Sequence, residues 1–175
     1  MKKTTFSIFI FLLLFATAPL FAYESYQLTR LRTNTVSQWN RWRSNYPNIQ
    51  IDLSNARIPN KRRLTGVNLS GANLTNADFR SCIMNNANLS GATLTGAKMN
   101  FGRMNNTNFS NATMIRTNLF KAHLKGSNLT NANLKGANLI TTKFTDANLS
   151  RARFDRATKC TRTYFQKANF TDAKF

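Results

Sequence analysis

Residues 64–84 read Leu64-Thr65-Gly66-Val67-Asn68-Leu69-Ser70-Gly71-Ala72-Asn73-Leu74-Thr75-Asn76-Ala77-Asp78-Phe79-Arg80-Ser81-Cys82-Ile83-Met84, with large apolar residues at 64, 69, 74, 79 and 84. The spacing of five continues. From Leu64 to Phe154 every fifth residue is Leu, Phe or Met, nineteen in succession: eleven Leu, four Phe and four Met. Two positions before each, from Ala72 to Ala152, the chain holds only Ala, Ser, Thr, Gly or Cys. A short fixed period kept over this length is the mark of a repeat architecture. It fits neither a helix face, which recurs about every 3.6 residues, nor a strand face, which recurs about every 2. Five residues that return to one orientation describe one side of a coil, with a turn at each corner.

The residue two after each large apolar position supports the corners. It is Gly, Asn or Asp at twelve of the nineteen, among them Gly66, Asn76, Gly91 and Asp146. Those residues tolerate the left-handed backbone of tight turns. Each unit therefore offers one large and one small inward side chain and three positions facing water. The fold class is an all-β solenoid.

Strings such as Ala72-Asn73-Leu74-Thr75-Asn76, Ala87-Asn88-Leu89-Ser90-Gly91 and Ala132-Asn133-Leu134-Lys135-Gly136 resemble the A-(D/N)-L-x-x unit of pentapeptide-repeat proteins. The resemblance implies a right-handed quadrilateral β-helix, with four units to a coil and coils stacked at about 4.8 Å. About six coils follow, including partial ones at both ends.

Residues 1–22 read as a signal peptide: Lys2 and Lys3, an apolar run from Phe6 to Phe15, and Ala22 before the cut. A retained membrane anchor is the alternative, for which the run is short. Residues 23–50 do not repeat and form an N-terminal cap ahead of a β-helix over 51–175. An open solenoid end exposes unpaired backbone and apolar side chains, so it needs such a cap. Thr35-Val36-Ser37-Gln38 has capping-box spacing, and Val36, Trp39 and Trp42 recur every three residues. The pattern predicts a helix from Val36 to Asn45 whose Val36, Trp39 and Trp42 pack over the first coil. The string Trp39-Asn40-Arg41-Trp42-Arg43 followed by Ile51-Asp52-Leu53-Ser54-Asn55-Ala56 also resembles the lead-in of many pentapeptide-repeat proteins.

The phase slips twice. Ile58 to Leu64 is six residues across Pro59-Asn60-Lys61-Arg62-Arg63, read as a one-residue bulge at a corner. Phe154 to Phe165 is eleven, and Lys159 falls on the inward position of the old phase. The segment Thr158 to Tyr164 must then loop out or shift register. Beyond it Phe165, Phe170 and Phe175 leave an apolar, unfinished last face. Tyr164, Phe165, Phe170 and Phe175 are the expected contact for an end-to-end homodimer.

Catalysis finds little footing. The one histidine, His123, lies on the outward track, and the acids are scattered. No phosphate loop, zinc spacing or nucleophile motif occurs. No enzyme activity, metal or cofactor is expected. The Asn-x-Ser/Thr triplets are a by-product of the repeat. Cys82 and Cys160 stand nearly four coils apart, too far to pair; Cys160 is available to bridge two molecules in an oxidising compartment.

Charge is the leading functional clue. The chain has 25 basic and 6 acidic residues, net +19. Loss of Lys2 and Lys3 with the leader leaves 23 basic and 6 acidic, or +17. Such a rod is either merely kept in solution by its charge or attracted to a polyanion: lipid headgroups, an acidic envelope polymer or nucleic acid. Some pentapeptide-repeat proteins are acidic rods that mimic DNA and bind topoisomerases; the opposite sign here disfavours that role. The expected function is an exported (periplasmic or secreted), non-catalytic binding or scaffold rod docking on an anionic partner, an envelope polymer or a membrane surface. The alternatives are an assembly protein that stacks end to end and a secreted effector, the latter without residue support.

One lateral site stands out. Residues twenty apart should share a face, and the units of Met99, Leu119 and Leu139 carry Phe101, Phe120 and Ile140 outward. Ile115 lies on the adjoining side, with Lys98 and Lys121 beside them. The expectation is a contiguous, exposed apolar stripe rimmed by lysine. The alternative is that lysine stems or the looped-out segment cover it.

Overall fold

The computed structural model describes the backbone from residue 20 to 175 and side chains from Tyr26 onward. The expected leader lies outside the described residues except for its last three positions. From Asp52 to Lys174 the chain makes single-residue parallel bridges, each to a partner 20 or 21 residues further on. Bridges recur every five residues along the chain, as at Asn68, Asn73, Asp78 and Ile83, so four sides close one coil.

The two inward tracks are buried. Leu89, Leu94, Met99 and Phe109 line the axis, with Ala92, Ala97 and Ala112 between them. The large residue's amide donates outward along the stack, Leu89 to Asn108 O at 2.7 Å and Leu94 to Thr113 O at 2.7 Å. The small inward track admits hydroxyls only where they are satisfied. Thr107 donates to Met84 O at 2.8 Å, Thr117 to Leu94 O at 2.8 Å and Ser127 to Met104 O at 2.7 Å. Each is a bond to the coil before, which removes most of the cost of burying the group.

Outside, the residue before each large one is in many units an asparagine that holds the following corner. Its Asn Oδ1 accepts the amide two residues on, as Asn88 does from Ser90 (3.1 Å) and Asn108 from Ser110 (3.0 Å). These carboxamides are spent on turn formation. Two residues after the large one, the backbone enters the left-handed region, from Gly71 (φ +64°) and Asn86 (+58°) to Asp172 (+57°).

Both slips are one-residue bulges. Bridge offsets change from 21 to 20 between Arg57↔Asp78 and Arg63↔Ile83, and back to 21 between Asn133↔Arg153 and Asn138↔Lys159. The second is not a looped-out segment: the extra residue sits at 155–157. There the Asp155 carboxylate accepts from the amides of Gly136 (2.8 Å) and Ala157 (3.1 Å) and from the Thr158 hydroxyl (3.0 Å). The Gly136 amide, ahead of the other donors, holds the Asp155 carboxyl below its usual pKa. Lys159 moves to an outward bridge position and stays exposed, and Cys160 takes the inward one.

Among the described residues two helices precede the coils, α1 (Leu20–Thr33) and α2 (Val36–Asn45). The range of α2 and its capping box, Thr35 with Gln38, coincide with the sequence reading. Trp39 and Trp42 are buried with ring centroids 5.3 Å apart, and Val36 packs partly buried against the same core. Polar side chains meet the open edge of the first coil. Trp39 Nε1 donates to Asn68 O (2.8 Å), Asn40 Nδ2 to Gly66 O (2.9 Å), and Arg43 to Ser70 O (3.2 Å). Sequence reasoning did not anticipate α1, whose Gln27 brackets the edge by donating to Gln50 O (3.0 Å) and accepting from the Asp52 amide (2.8 Å). Neither helix is long and apolar enough to cross a membrane, nor is any other among the described residues.

Candidate functional site

With the interior given over to stacking, any chemistry sits on the four outer faces. Each face is defined by its ladder of bridge residues, and the ladders differ. One, the asparagine face, is Asn68, Asn88, Asn108, Asn128, Asn148 and Asn169. The residues after its large positions are Ser70, Ser90, Ser110, Thr130, Ser150 and Thr171, so these two rows carry no charge. The neighbouring basic face is Arg63, Ile83, Arg103, His123, Lys143 and Tyr164. The third face runs from Asp52 to Arg153 and Lys174, and the fourth through Arg57, Asp78, Lys98, Asn118, Asn138 and Lys159.

The left-handed corner between the fourth face and the basic face breaks the turn rule in every coil. Its residues are Lys61 (φ +61°), Ser81 (+58°), Phe101 (+60°), Lys121 (+55°), Thr141 (+55°) and Arg162 (+55°). No Gly, Asn or Asp occupies it. For an L-residue with a long or branched side chain this conformation costs about 1 kcal/mol or more per position. The other three corners rely mainly on Gly, Asn and Asp.

The corner also gathers apolar side chains. Phe101, 49% exposed, meets Phe120 edge to face at 5.5 Å. The Lys121 ammonium lies 5.1 Å from the Phe120 ring centre and 6.0 Å from that of Phe101. The Phe101 amide donates to Phe120 O (2.9 Å), and Lys121's amide to Ile140 O (3.1 Å), which fixes Phe120 and Ile140 one coil apart. Phe120 and Ile140 are half-buried rather than open, a correction to the expectation of a fully exposed stripe: Lys121 covers part of the rings. Ile115 stands after Met114, on the third face's units, and its carbonyl bonds the Gly96 amide at 2.9 Å, so it belongs to another corner. Lys98 is exposed on the fourth face's ladder.

Around the corner, Lys61, Arg63, Ser81, Ile83, Phe101 and Arg103 line a cleft of roughly 400 Å³. Sequence reasoning missed Ile83 and Arg103, which lie on the next side of the coil. The signal that finds them was present: Ser81, Phe101, Lys121 and Thr141 depart from the turn rule at one 20-residue phase. Further along the face, burial first, then Lys143 and Arg103, push the His123 pKa down. On the fourth face Asp78 is held by Arg80, Nε to Oδ1 at 2.9 Å and Nη2 to Oδ2 at 2.7 Å, and that bond lowers its pKa.

A larger cleft, roughly 570 Å³, lies where the asparagine face meets the third face. It is lined by Asn111, Asn131, Arg151, Arg153, Asp172 and Lys174, among others, with Arg151 paired to Asp172 at 3.6 Å.

At the last coil Phe154 and Phe175 stack at 5.0 Å and Phe165 meets Phe170 at 5.1 Å. Phe175 is 84% exposed, while Phe165 and Phe170 are half-buried. Tyr164, 54% exposed, stands in the outward ladder and not on this inward track, which corrects its grouping with the end. Cys160 is an exposed free thiol on the inward track. Cys82 is buried, and desolvation raises its pKa to about 11. Among the described residues no cluster of three His, Cys, Asp or Glu could hold a metal.

The profile described as "Pentapeptide repeats" matches residues 63–100, 95–131 and 122–158, in 8 copies. A solved pentapeptide repeat protein from the Arabidopsis thaliana thylakoid lumen is 33% identical, with a TM-score of 0.54, over 55% of this chain and 67% of that one. HetL, a pentapeptide repeat protein involved in heterocyst differentiation regulation in the cyanobacterium Nostoc sp. strain PCC 7120, is 26% identical with a TM-score of 0.43. The match takes in 71% of this chain and 57% of HetL. No curated protein matches the chain.

Proposed function

The chain belongs to the pentapeptide-repeat family, and we propose that it is a non-catalytic binding rod whose basic side docks on an anionic partner. The proposal takes the rod as about six right-handed coils closed at one end by α1 and α2, exported and working outside the cytoplasm after cleavage near Ala22. The observation that carries it is the segregation of charge. One face has two rows free of charge, while its neighbour carries Arg63, Arg103 and Lys143, flanked by Lys61, Lys121 and Arg162 at the corner. Exposed cations attract anionic surfaces through a field that salt screens within about 10 Å at 0.1 M. Binding to anionic polymers or vesicles should therefore weaken steeply from low to physiological salt. Absent binding, or binding indifferent to salt, would end this reading.

A second reading, self-association, has its own observation: the exposed ring of Phe175 above Phe154, beside Phe165 and Phe170. A symmetric contact would pair two such ends. Sedimentation should show a dimer that Phe175→Ser dissociates; a monomer at high micromolar concentration removes this reading.

A further inference from the structure

We infer that the corner between the fourth and basic faces is a docking site for an anionic phospholipid surface, with Phe101 as the inserting side chain. The inference rests on the anion-docking reading above and gives it a place and a partner. Three features meet there. Lys61, Arg63 and Arg103 surround one cleft whose apolar lining is Ile83 and Phe101. Phe101 is half exposed, with a ring edge packed on Phe120 and Lys121 beside both. The corner keeps residues other than Gly, Asn and Asp on left-handed backbone in every coil, a cost that the other corners mostly avoid.

A lipid interface is the environment that uses all three together. Cations near an anionic leaflet each contribute about a factor of 5 in binding, and an aromatic ring gains by entering the headgroup boundary. A single-stranded nucleic acid fits less well. It needs a succession of free ring faces for base stacking, whereas Phe101 is the one aromatic that lines this cleft and Lys121 sits by its ring. The larger cleft has Arg151, Arg153 and Lys174, but Asp172 offsets one charge, and no large apolar side chain lines it.

The test compares two charge-matched triple variants of the full chain on vesicles of phosphatidylcholine with phosphatidylglycerol. Lys61→Asn, Arg63→Gln, Arg103→Gln should weaken binding on the order of 100-fold, three charges at about a factor of 5 each. Arg151→Asn, Arg153→Gln, Lys174→Gln removes as much charge elsewhere and should weaken it less than about tenfold. Phe101→Asn keeps a residue suited to φ +60° and should cost about tenfold with the salt dependence unchanged. Phe101→Trp should show a blue-shifted emission on adding the vesicles. Equal losses from the two triples, an unchanged Phe101→Asn, or tighter binding of a single-stranded oligonucleotide than of vesicles would overturn the site. In those cases the wild type still binds anions, and the broader reading stands. Wild type that binds neither vesicle nor polymer removes both.

Discussion

The asparagine face and the basic face stand on the same interior. Behind the first lie Leu89, Phe109 and Leu129, behind the second Met84, Met104 and Leu124, all buried. Their backbones bridge with the same offsets, 20 residues and, at the last coil, 21. Yet one outer ladder is six asparagines, and the other is arginine, isoleucine, histidine, lysine and tyrosine. The asparagine ladder is what the turn requires, because each carboxamide bonds the amide two residues on. The basic ladder gives up that bond. A solenoid thus separates what folds it from what it displays, and the face that departs from the repeat's own preferences is the one free to carry a partner.

If the interior is common property, the largest effects should ignore the faces. Phe109→Ala, behind the asparagine face, and Phe144→Ala, behind the basic face, each remove a fully buried ring. Each should cost about 3–5 kcal/mol in urea unfolding. A cost confined to one of the two would break the comparison at its base.

The outer ladders should differ by less, in a defined direction. Asn108→Ala removes the acceptor of the Ser110 amide (3.0 Å) and should cost about 1 kcal/mol. Arg103→Ala on the basic face, an exposed side chain, should fall within about 0.5 kcal/mol of wild type. Equal costs would mean that the basic ladder also holds the fold together.

How much of this was legible follows from which interactions leave a linear trace. The period of five showed the interior, because every coil repeats the same two inward slots. The helix α2 showed itself through Thr35, Gln38 and the tryptophan spacing. Helix α1 did not: of its apolar contacts Leu28 and Leu31 make too short a stripe to read, and the polar ones, Gln27 and Arg32 on carbonyls of the coil edge, follow no helical period. The slip after Phe154 was visible, but its place was not. Asp155 takes the Gly136 amide across a whole coil, and no local pattern announces that. At the candidate site, stacking showed Phe120 above Ile140, since twenty residues separate them. It could not show Arg63 and Arg103 across the corner, where adjacency depends on the turn between two sides.

The corner itself offers a sharper measure. Thr141 is β-branched at φ +55°. Thr141→Asn should stabilise the fold by about 0.5–1 kcal/mol, read as a higher urea midpoint at unchanged slope. Asn131→Ala at the opposite corner, φ +59°, should do the reverse. If Thr141→Asn is neutral, the corner carries no strain and its composition marks nothing.

The smallest effect is a titration. The asparagine ladder contains no ionisable group, whereas His123 stands between Arg103 and Lys143 on the basic one. Burial, then Lys143, then Arg103, place its folded pKa below the ordinary value of 6.5. A base with a depressed folded pKa binds its proton more readily when unfolded, so stability should fall as pH drops through the unfolded value. Between pH 7.5 and 5 the carboxylates of Asp78 and Asp155 stay ionised, since both are shifted downward, and they do not obscure the change. The slope should therefore disappear in His123→Asn and shrink in Lys143→Gln, which relieves one of the two repelling charges. In the NMR titration of the intact protein, Lys143→Gln should move the His123 midpoint up. Anionic vesicles bound along this face should move it up further, because they supply the opposite charge that the ladder lacks. A midpoint at or above 6.5 in the free protein would show that the basic ladder is too well screened to act as one charged surface.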